Sequence, residues 1–198
     1  MKKIIILLAI LAIPTTFADK SSLNIEQYVS SIVDEASTLL SNDKISEAQK
    51  ISKSSDLMAQ NLDLNWMARY SLGRHRKDFN SAQIDQFTKV YSIYIIKTYS
   101  DLIRNYKGQK AVIKKVVQLV EGKEYIVKTE VIQSGQSRIS VDYLVHDVNQ
   151  NSKGKPALKI SDIITEGVSA IHSQQQEFNS VINSRGFDAL ITELKQKS

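Results

Sequence analysis

Cysteine is absent from the 198 residues. That excludes disulfides, thiolate zinc sites, iron–sulfur clusters, a cysteine nucleophile and the modified cysteine of a lipoprotein. Histidine occurs three times, as His75, His146 and His172, with no HExxH or HxH pair and no two at metal-ligand spacing. Seven scattered glycines build no phosphate-cradling loop, and G-x-S-x-G, the P-loop and G-x-G-x-x-G are all missing. After the first eighteen residues no apolar run is long enough to span a bilayer. Polar stretches are too short for low complexity, and 42% hydrophobic residues are too many for a disordered chain. What remains is a chain of single-domain length, able to hold a core without disulfide or metal.

The formal net charge of +5 points first to nucleic acid or a membrane surface. Part of it sits at the start. Lys2 and Lys3 precede ten unbroken apolar residues, Ile4 to Ile13, and a segment ending in Ala18. These are the three regions of an export signal. Ten residues span about 15 Å as a helix, half a bilayer core, so the segment is no transmembrane span. Cleavage is expected after Ala18, leaving a single domain over 19–198 that is soluble and exported. Its 24 basic and 21 acidic side chains then give +3. Without Cys, its fold in an oxidising compartment rests on the core alone.

In the mature chain Asn24 with Gln27 marks a helix start, followed by Ile25, Tyr28, Val29, Ile32, Ala36, Leu39 and Leu40 at helical spacing. Residues 43–58 form a weaker, mostly exposed helix. Asp63 caps a short third helix that carries Trp66, Met67, Tyr70 and Leu72 and ends at Gly73. The strongest period runs over 80–106, where Asn80 and Gln83 pair as a capping box. Ile84, Phe87, Tyr91, Tyr94, Ile95, Thr98, Leu102 and Tyr106 share one face there.

Strand patterns then replace the helical period: 110–120 is rich in Val and Ile, 124–133 and 137–148 alternate, and 157–165 is a fourth strand, with turns at 121–123 and 134–136 and a polar loop over 149–156. Short turns imply an antiparallel meander. Helical spacing returns from Gly167 with Val168, Ile171, Gln175, Phe178 and Ile182, breaks at Gly186, and resumes to Lys197. The expected fold is α+β: a twisted antiparallel sheet of about four strands, covered on one face by N- and C-terminal helices.

Three features invite chemistry. Asp142 and Asp162 fall on adjacent strands and are candidates for a facing carboxylate pair, for strand-surface carboxylates, or for acids hydrogen-bonded to a neighbouring helix. His146 falls on the polar side of its strand and is expected to be solvated. Arg69, Arg74, His75, Arg76 and Lys77 form a basic cluster, either a solvated helix end or a site for a phosphate, a lipid head group or an acidic partner. An exported chain is not expected to meet nucleic acid, and the sheet lacks a basic and aromatic binding stripe. The eight tyrosines combine apolar rings with polar tips, as suits a core edge or the wall of an amphipathic ligand site.

The segment Met67-Ala68-Arg69-Tyr70-Ser71-Leu72-Gly73-Arg74 resembles a M-A-R-x-x-L-G-R motif, and Asp162 to Ser169 resembles a D-x-x-x-E-G-V-S box. Gln83, Phe87, Thr98-Tyr99, Gln176-Glu177-Phe178 and Gly186 to Leu190 continue the likeness over nearly all of 20–195. Together these are similar to the MlaC family, the toluene-tolerance type periplasmic component of the Mla ABC transport system. In many members the fourth strand carries Trp and Tyr where this chain has Leu158 and Ser161.

The resemblance implies a periplasmic phospholipid carrier that maintains outer-membrane lipid asymmetry. It implies an outer-membrane lipoprotein complex and an inner-membrane ABC transporter with an MCE-domain subunit as partners. It also implies a fold that encloses an apolar lipid pocket. No cofactor, metal or catalytic residue is expected, phospholipid being cargo, and the carrier is expected to be a monomer.

The expected pocket wall takes Val127, Thr129, Val131, Val141, Tyr143, Val145 and Ile160 from the sheet. The long helix supplies Phe87, Tyr91, Tyr94, Ile95 and Tyr99, and the flanking motifs supply Met67, Leu72 and Val168. Arg69, Arg74 and Arg76 are the expected contacts to a head group or partner. Two other classes fit the same pattern. One is a small ketosteroid-isomerase-like enzyme using Asp142 or Asp162 with Tyr143. The other is an adaptor that binds only proteins.

Overall fold

A computed structural model of the chain describes residues 20–103, 106–132, 137–149 and 157–198. The expected export signal (1–18), the turn at 134–136 and most of the loop at 149–156 lie outside the described residues. The order is α1 (Lys20–Leu40), α2 (Glu47–Asn61), α3 (Leu64–Ser71), a 3-10 turn (Gly73–Lys77) and α4 (Ser81–Ile103). Strands β1 (Lys110–Val120), β2 (Glu124–Ile132), β3 (Arg138–Asp147), β4 (Leu158–Thr165) and β5 (Val168–Ser169) follow. Helices α5 (Ala170–Arg185) and α6 (Phe187–Lys197) complete the chain. This is the α+β architecture that the patterning predicts.

Local chemistry sets most boundaries. The Asn80 side chain accepts from Gln83 N at 2.9 Å, and Gln83 Oε1 accepts from Asn80 N at 3.1 Å, so both halves of the capping box are made. Asp63 Oδ1 accepts from Trp66 N at 2.9 Å and starts α3. The second helix begins later than its sequence pattern, because Ser46 and Gln49 form their own capping box. The first begins earlier, at Lys20 instead of Asn24. Gly73 has φ +55°, and a Cβ there would meet the Asn179 and Gln175 side chains at 3.0 Å. Glycine therefore permits both the left-handed turn after α3 and the close seat of α5.

The five strands pair antiparallel in sequence order. The fifth is a correction: Val168 and Ser169 pair with Thr165 and Ile164 as a strand, and the helix starts only at Ala170. Ser169 caps that helix, its Oγ accepting from His172 N at 3.0 Å. Register aligns inner-face rows across the sheet. One is Ile113, Thr129, Val141 and Thr165; the next is Val116, Val127, Tyr143 and Ile163; the third is Gln118, Tyr125, Val145 and Ile160. Register shifts in β1 and between Leu144 and Val145 bend the sheet around this face.

The core lies between the inner face and the helices. Phe178 on α5 meets Phe87, Tyr91 and Tyr94 of α4 at ring distances of 5.9, 6.2 and 6.4 Å. Phe79 and Phe187 close its lower end at 4.6 Å. Thr98, placed by its spacing on the buried face of α4, is exposed and donates back to Tyr94 O at 2.8 Å.

His146 corrects the expectation of a solvated strand residue. It is 7% exposed. Its Nε2 lies 2.9 Å from Asp63 Oδ2, and Trp66 packs edge-on at 5.6 Å. The Asp63 backbone N–H donates to Ile160 O at 2.8 Å, so this one residue ties α3 to two strands. The hydrogen bond from His146 is the largest of the influences that hold the Asp63 carboxyl below its ordinary 3.8, against the opposing effect of burial. A carboxyl lowered on folding stabilises above its unfolded value and loses that contribution as pH falls through the folded one. The melting temperature should therefore climb with pH in the acid range below Asp63's ordinary 3.8, and climb less steeply in Asp63→Asn. Parallel profiles for the two proteins would show that the pair contributes nothing to the acid limb.

Candidate functional site

An apolar cavity of 190 Å³ opens between three helices and the inner sheet face. Helix α1 contributes Ile32, Ala36 and Leu40, and α2 contributes Ser54, Leu57, Met58 and Asn61. Leu62, Tyr99 of α4 and Tyr143, Ile160 and Ile163 of the sheet close it. It exists because two geometries meet there. The sheet bends at its register shifts, while α1 and α2 bury few side chains. Small Ala36 leaves space where a longer residue would fill the gap.

The expected wall residues divide. Tyr99, Tyr143 and Ile160 stand on the cavity wall. Met67, Leu72, Phe87, Tyr91, Ile95, Val127 and Val145 are fully buried elsewhere in the core. Tyr94 is half-buried against the core, and Val131 and Val141 are half-buried on the sheet. Thr129 is buried and donates its hydroxyl to Val141 O. Val168 is 62% exposed, on β5 and off the cavity wall. The sequence reading missed the α1 and α2 residues, because a weak helix with few apolar positions reads as a solvated one. The available signal was Ser54, Leu57, Met58 and Asn61 at 3- and 4-residue spacing.

Burial shapes the tyrosines. It pushes the Tyr99 hydroxyl up to about 12, with the Asp162 charge adding to it. It raises Tyr143 as well, and drives Tyr91, which donates to Gln174 Oε1 at 2.7 Å, higher still. All three stay protonated, and so remain hydrogen-bond donors, across the physiological range.

Asp142 and Asp162 do not form a facing pair. Asp142 pairs with Ile164, and Asp162 with Leu144. Asp142 meets Lys128 Nζ and Ser140 Oγ, both at 3.4 Å. Asp162 accepts from Ser169 Oγ at 2.5 Å, Ile163 N at 2.8 Å and Ile171 N at 3.1 Å, which anchors the start of α5. Asp162 thus takes the helix-bonded alternative, while Asp142 stays within the sheet, bonded to strand residues. Among the described residues no group of three His, Asp or Glu could hold a metal ion. No described helix is long and apolar enough to cross a membrane.

The basic cluster borders a different feature, a polar groove of 760 Å³ between the 3-10 turn and α5. Arg74 lines it and donates to Asn183 Oδ1 at 3.3 Å. Arg69 donates to Asn65 Oδ1 at 3.1 Å, and Arg69, Arg74 and Arg76 are all exposed. None of the three is on the wall of the apolar cavity.

The comparisons with known proteins agree in kind. The intermembrane phospholipid transport system binding protein MlaC of Haemophilus influenzae is 23% identical over 138 residues, 69% of this chain. The match spans 63% of that relative's length. A phospholipid-binding protein from Ralstonia solanacearum, solved in complex with a phospholipid, superposes with a TM-score of 0.71 at 20% identity. It covers 86% of this chain and 94% of its own, which shows a shared fold. The family model described as MlaC protein matches residues 30–196, nearly the whole described chain. An α+β sheet curled around an apolar cavity, in a chain that this model matches almost end to end, belongs to the MlaC family.

Proposed function

We propose that this chain is a periplasmic phospholipid carrier, exported by its N-terminal segment and shuttling lipid between outer-membrane and inner-membrane Mla complexes. The observation that carries the reading is the apolar cavity enclosed between α1, α2, α4 and the sheet. Each methylene kept from water contributes about 0.8 kcal/mol, so two acyl chains of about thirty methylenes in all give a gross term of about 20–25 kcal/mol. A lipid cannot cross an aqueous compartment unaided against that cost. A carrier meets it by covering both chains, and leaves the head group in water.

At 190 Å³ the cavity is smaller than the roughly 300–1,000 Å³ of pockets for drug-sized ligands. Loading therefore requires α1 and α2 to swing from the sheet and α4. These helices bury few apolar side chains, among them Ile25, Val29 and Leu57. Exposing such a side chain costs about 1.5–3 kcal/mol, well below the gain from two chains. Direction must come from an energised partner such as the ABC transporter, since the carrier itself only holds cargo.

The test fills the cavity. Ala36→Trp places an indole in it, and Val112→Trp on exposed β1 is the control. Organic extraction and mass spectrometry of the purified proteins should find about one phospholipid per wild-type and control chain, and several-fold less on Ala36→Trp. Absence of phospholipid from the wild type would overturn the carrier in favour of a protein-binding adaptor.

A further inference from the structure

The cavity wall is apolar except at a few atoms, and those atoms are not alike. Asn61 has both ends of its amide engaged: Nδ2 donates to Leu57 O at 2.8 Å, and Oδ1 accepts from Tyr28 OH at 3.2 Å. Ser55, one residue from the cavity, follows the usual helical habit, donating to Ile51 O at 2.9 Å with Ser100 Oγ at 3.0 Å. Ser54 does neither. It is 5% exposed, lies on the cavity wall, and its Oγ is buried with no hydrogen-bond partner.

Leaving a buried hydroxyl unmade is costly, and native structures rarely do so without a reason. A helical serine has an easy alternative in the carbonyl four residues back, as Ser55 shows. Two more hydroxyl-bearing residues share this wall, Tyr99 from α4 and Tyr143 from β3. Both side chains line the same cavity, and burial keeps both protonated. Three separate elements thus bring hydroxyl groups to one small apolar space.

Acyl chains carry nothing that these hydroxyls can bond. Within the part of a glycerophospholipid that can enter an apolar enclosure, the first acceptors met after the chains are the ester carbonyl oxygens. We propose that Ser54, with Tyr99 and Tyr143, forms a hydrogen-bond anchor for the ester carbonyls of a diacyl phospholipid. The anchor sets how deep the glycerol backbone sits and favours ester-linked over ether-linked lipids. It rests on the carrier reading and adds to it a specificity site that a purely apolar pocket would lack.

The experiment offers the protein mixed vesicles of dipalmitoyl phosphatidylglycerol and its di-O-hexadecyl ether analogue in equal amounts. Head group and chain length are the same, and only the ester carbonyl oxygens differ. The lipid extracted from repurified protein is quantified by mass spectrometry. Wild type should carry the diester over the diether by about fivefold for each hydrogen bond made. Ser54→Ala and Tyr143→Phe should each bring the ratio toward one. Lipid-free Ser54→Ala should melt no lower than wild type, since it removes an unbonded buried hydroxyl.

A wild-type ratio near one, or a ratio unmoved by both substitutions, overturns the anchor while leaving the carrier in place. A lower melting temperature of lipid-free Ser54→Ala also counts against it, as the mark of a structural hydroxyl. Uptake of neither lipid by the wild type overturns the carrier and the anchor together.

Discussion

Replacing Phe178 with alanine is expected to destabilise the protein by about 3–5 kcal/mol, the cost of deleting a buried aromatic ring and leaving a cavity. Phe178 is 1% exposed and touches three aromatic rings of α4. It joins α5 to the long helix, alongside the hydrogen bond from Tyr91 to Gln174. The surrounding rings cannot collapse into the gap, because Phe87 and Tyr91 are themselves fully buried and held by other neighbours. In a chain of this size each kcal/mol lowers the melting temperature by about 2–4 °C, so a fall of about 6–20 °C is expected in a thermal melt followed by circular dichroism. A fall below about 2 °C would mean that α5 is not seated on α4 through this ring.

The second large effect is at Asp162. Its carboxylate is 3% exposed and gathers the Ile163 and Ile171 backbone N–H groups and the Ser169 hydroxyl. Hydrogen bonds to a charged group contribute about 1.5–3 kcal/mol each and do not simply add. Asp162→Ala should cost about 3–4 kcal/mol, since it also leaves buried donors unmade at the start of α5. Asp162→Asn keeps the shape but cannot keep every bond. Ser169 Oγ already accepts from His172 N, so an amide nitrogen facing it would leave the hydroxyl proton without an acceptor. About half the alanine loss is expected for asparagine. Urea titration measures both, and equal, small losses would show that other contacts hold the turn between β4 and α5.

These two positions illustrate what was legible beforehand. Phe178 stands in a helical period, so its burial could be read directly. Asp162 was recognisable as a residue of the D-x-x-x-E-G-V-S box, and its bonding to a helix was one of the open readings. The choice between them depends on a register shift. Leu144 pairs with Asp162 and Val145 with Ile160, so Ser161 is the extra residue that aims the carboxylate at α5. An alternating pattern has no mark for such an insertion, and the strand reads the same with or without it.

The same distinction runs through the molecule. Periodicity and capping chemistry were enough to order the elements, because they act between residues a few positions apart. Asn80 with Gln83, Asp63 before Trp66 and the break at Gly186 are all bonds or dihedral demands within one turn of chain. The two motifs were enough to indicate the family. Tertiary structure alone decided what covers each face. His146 alternates like a solvated residue, yet Asp63, distant in sequence, bonds it under Trp66. The weak helix α2, polar by composition, supplies a third of a cavity wall and the unbonded Ser54. Spacing tells which side chains share a face. Whether that face meets water, a helix or an open cavity depends on packing between distant segments, and that is set by the shape of the whole core.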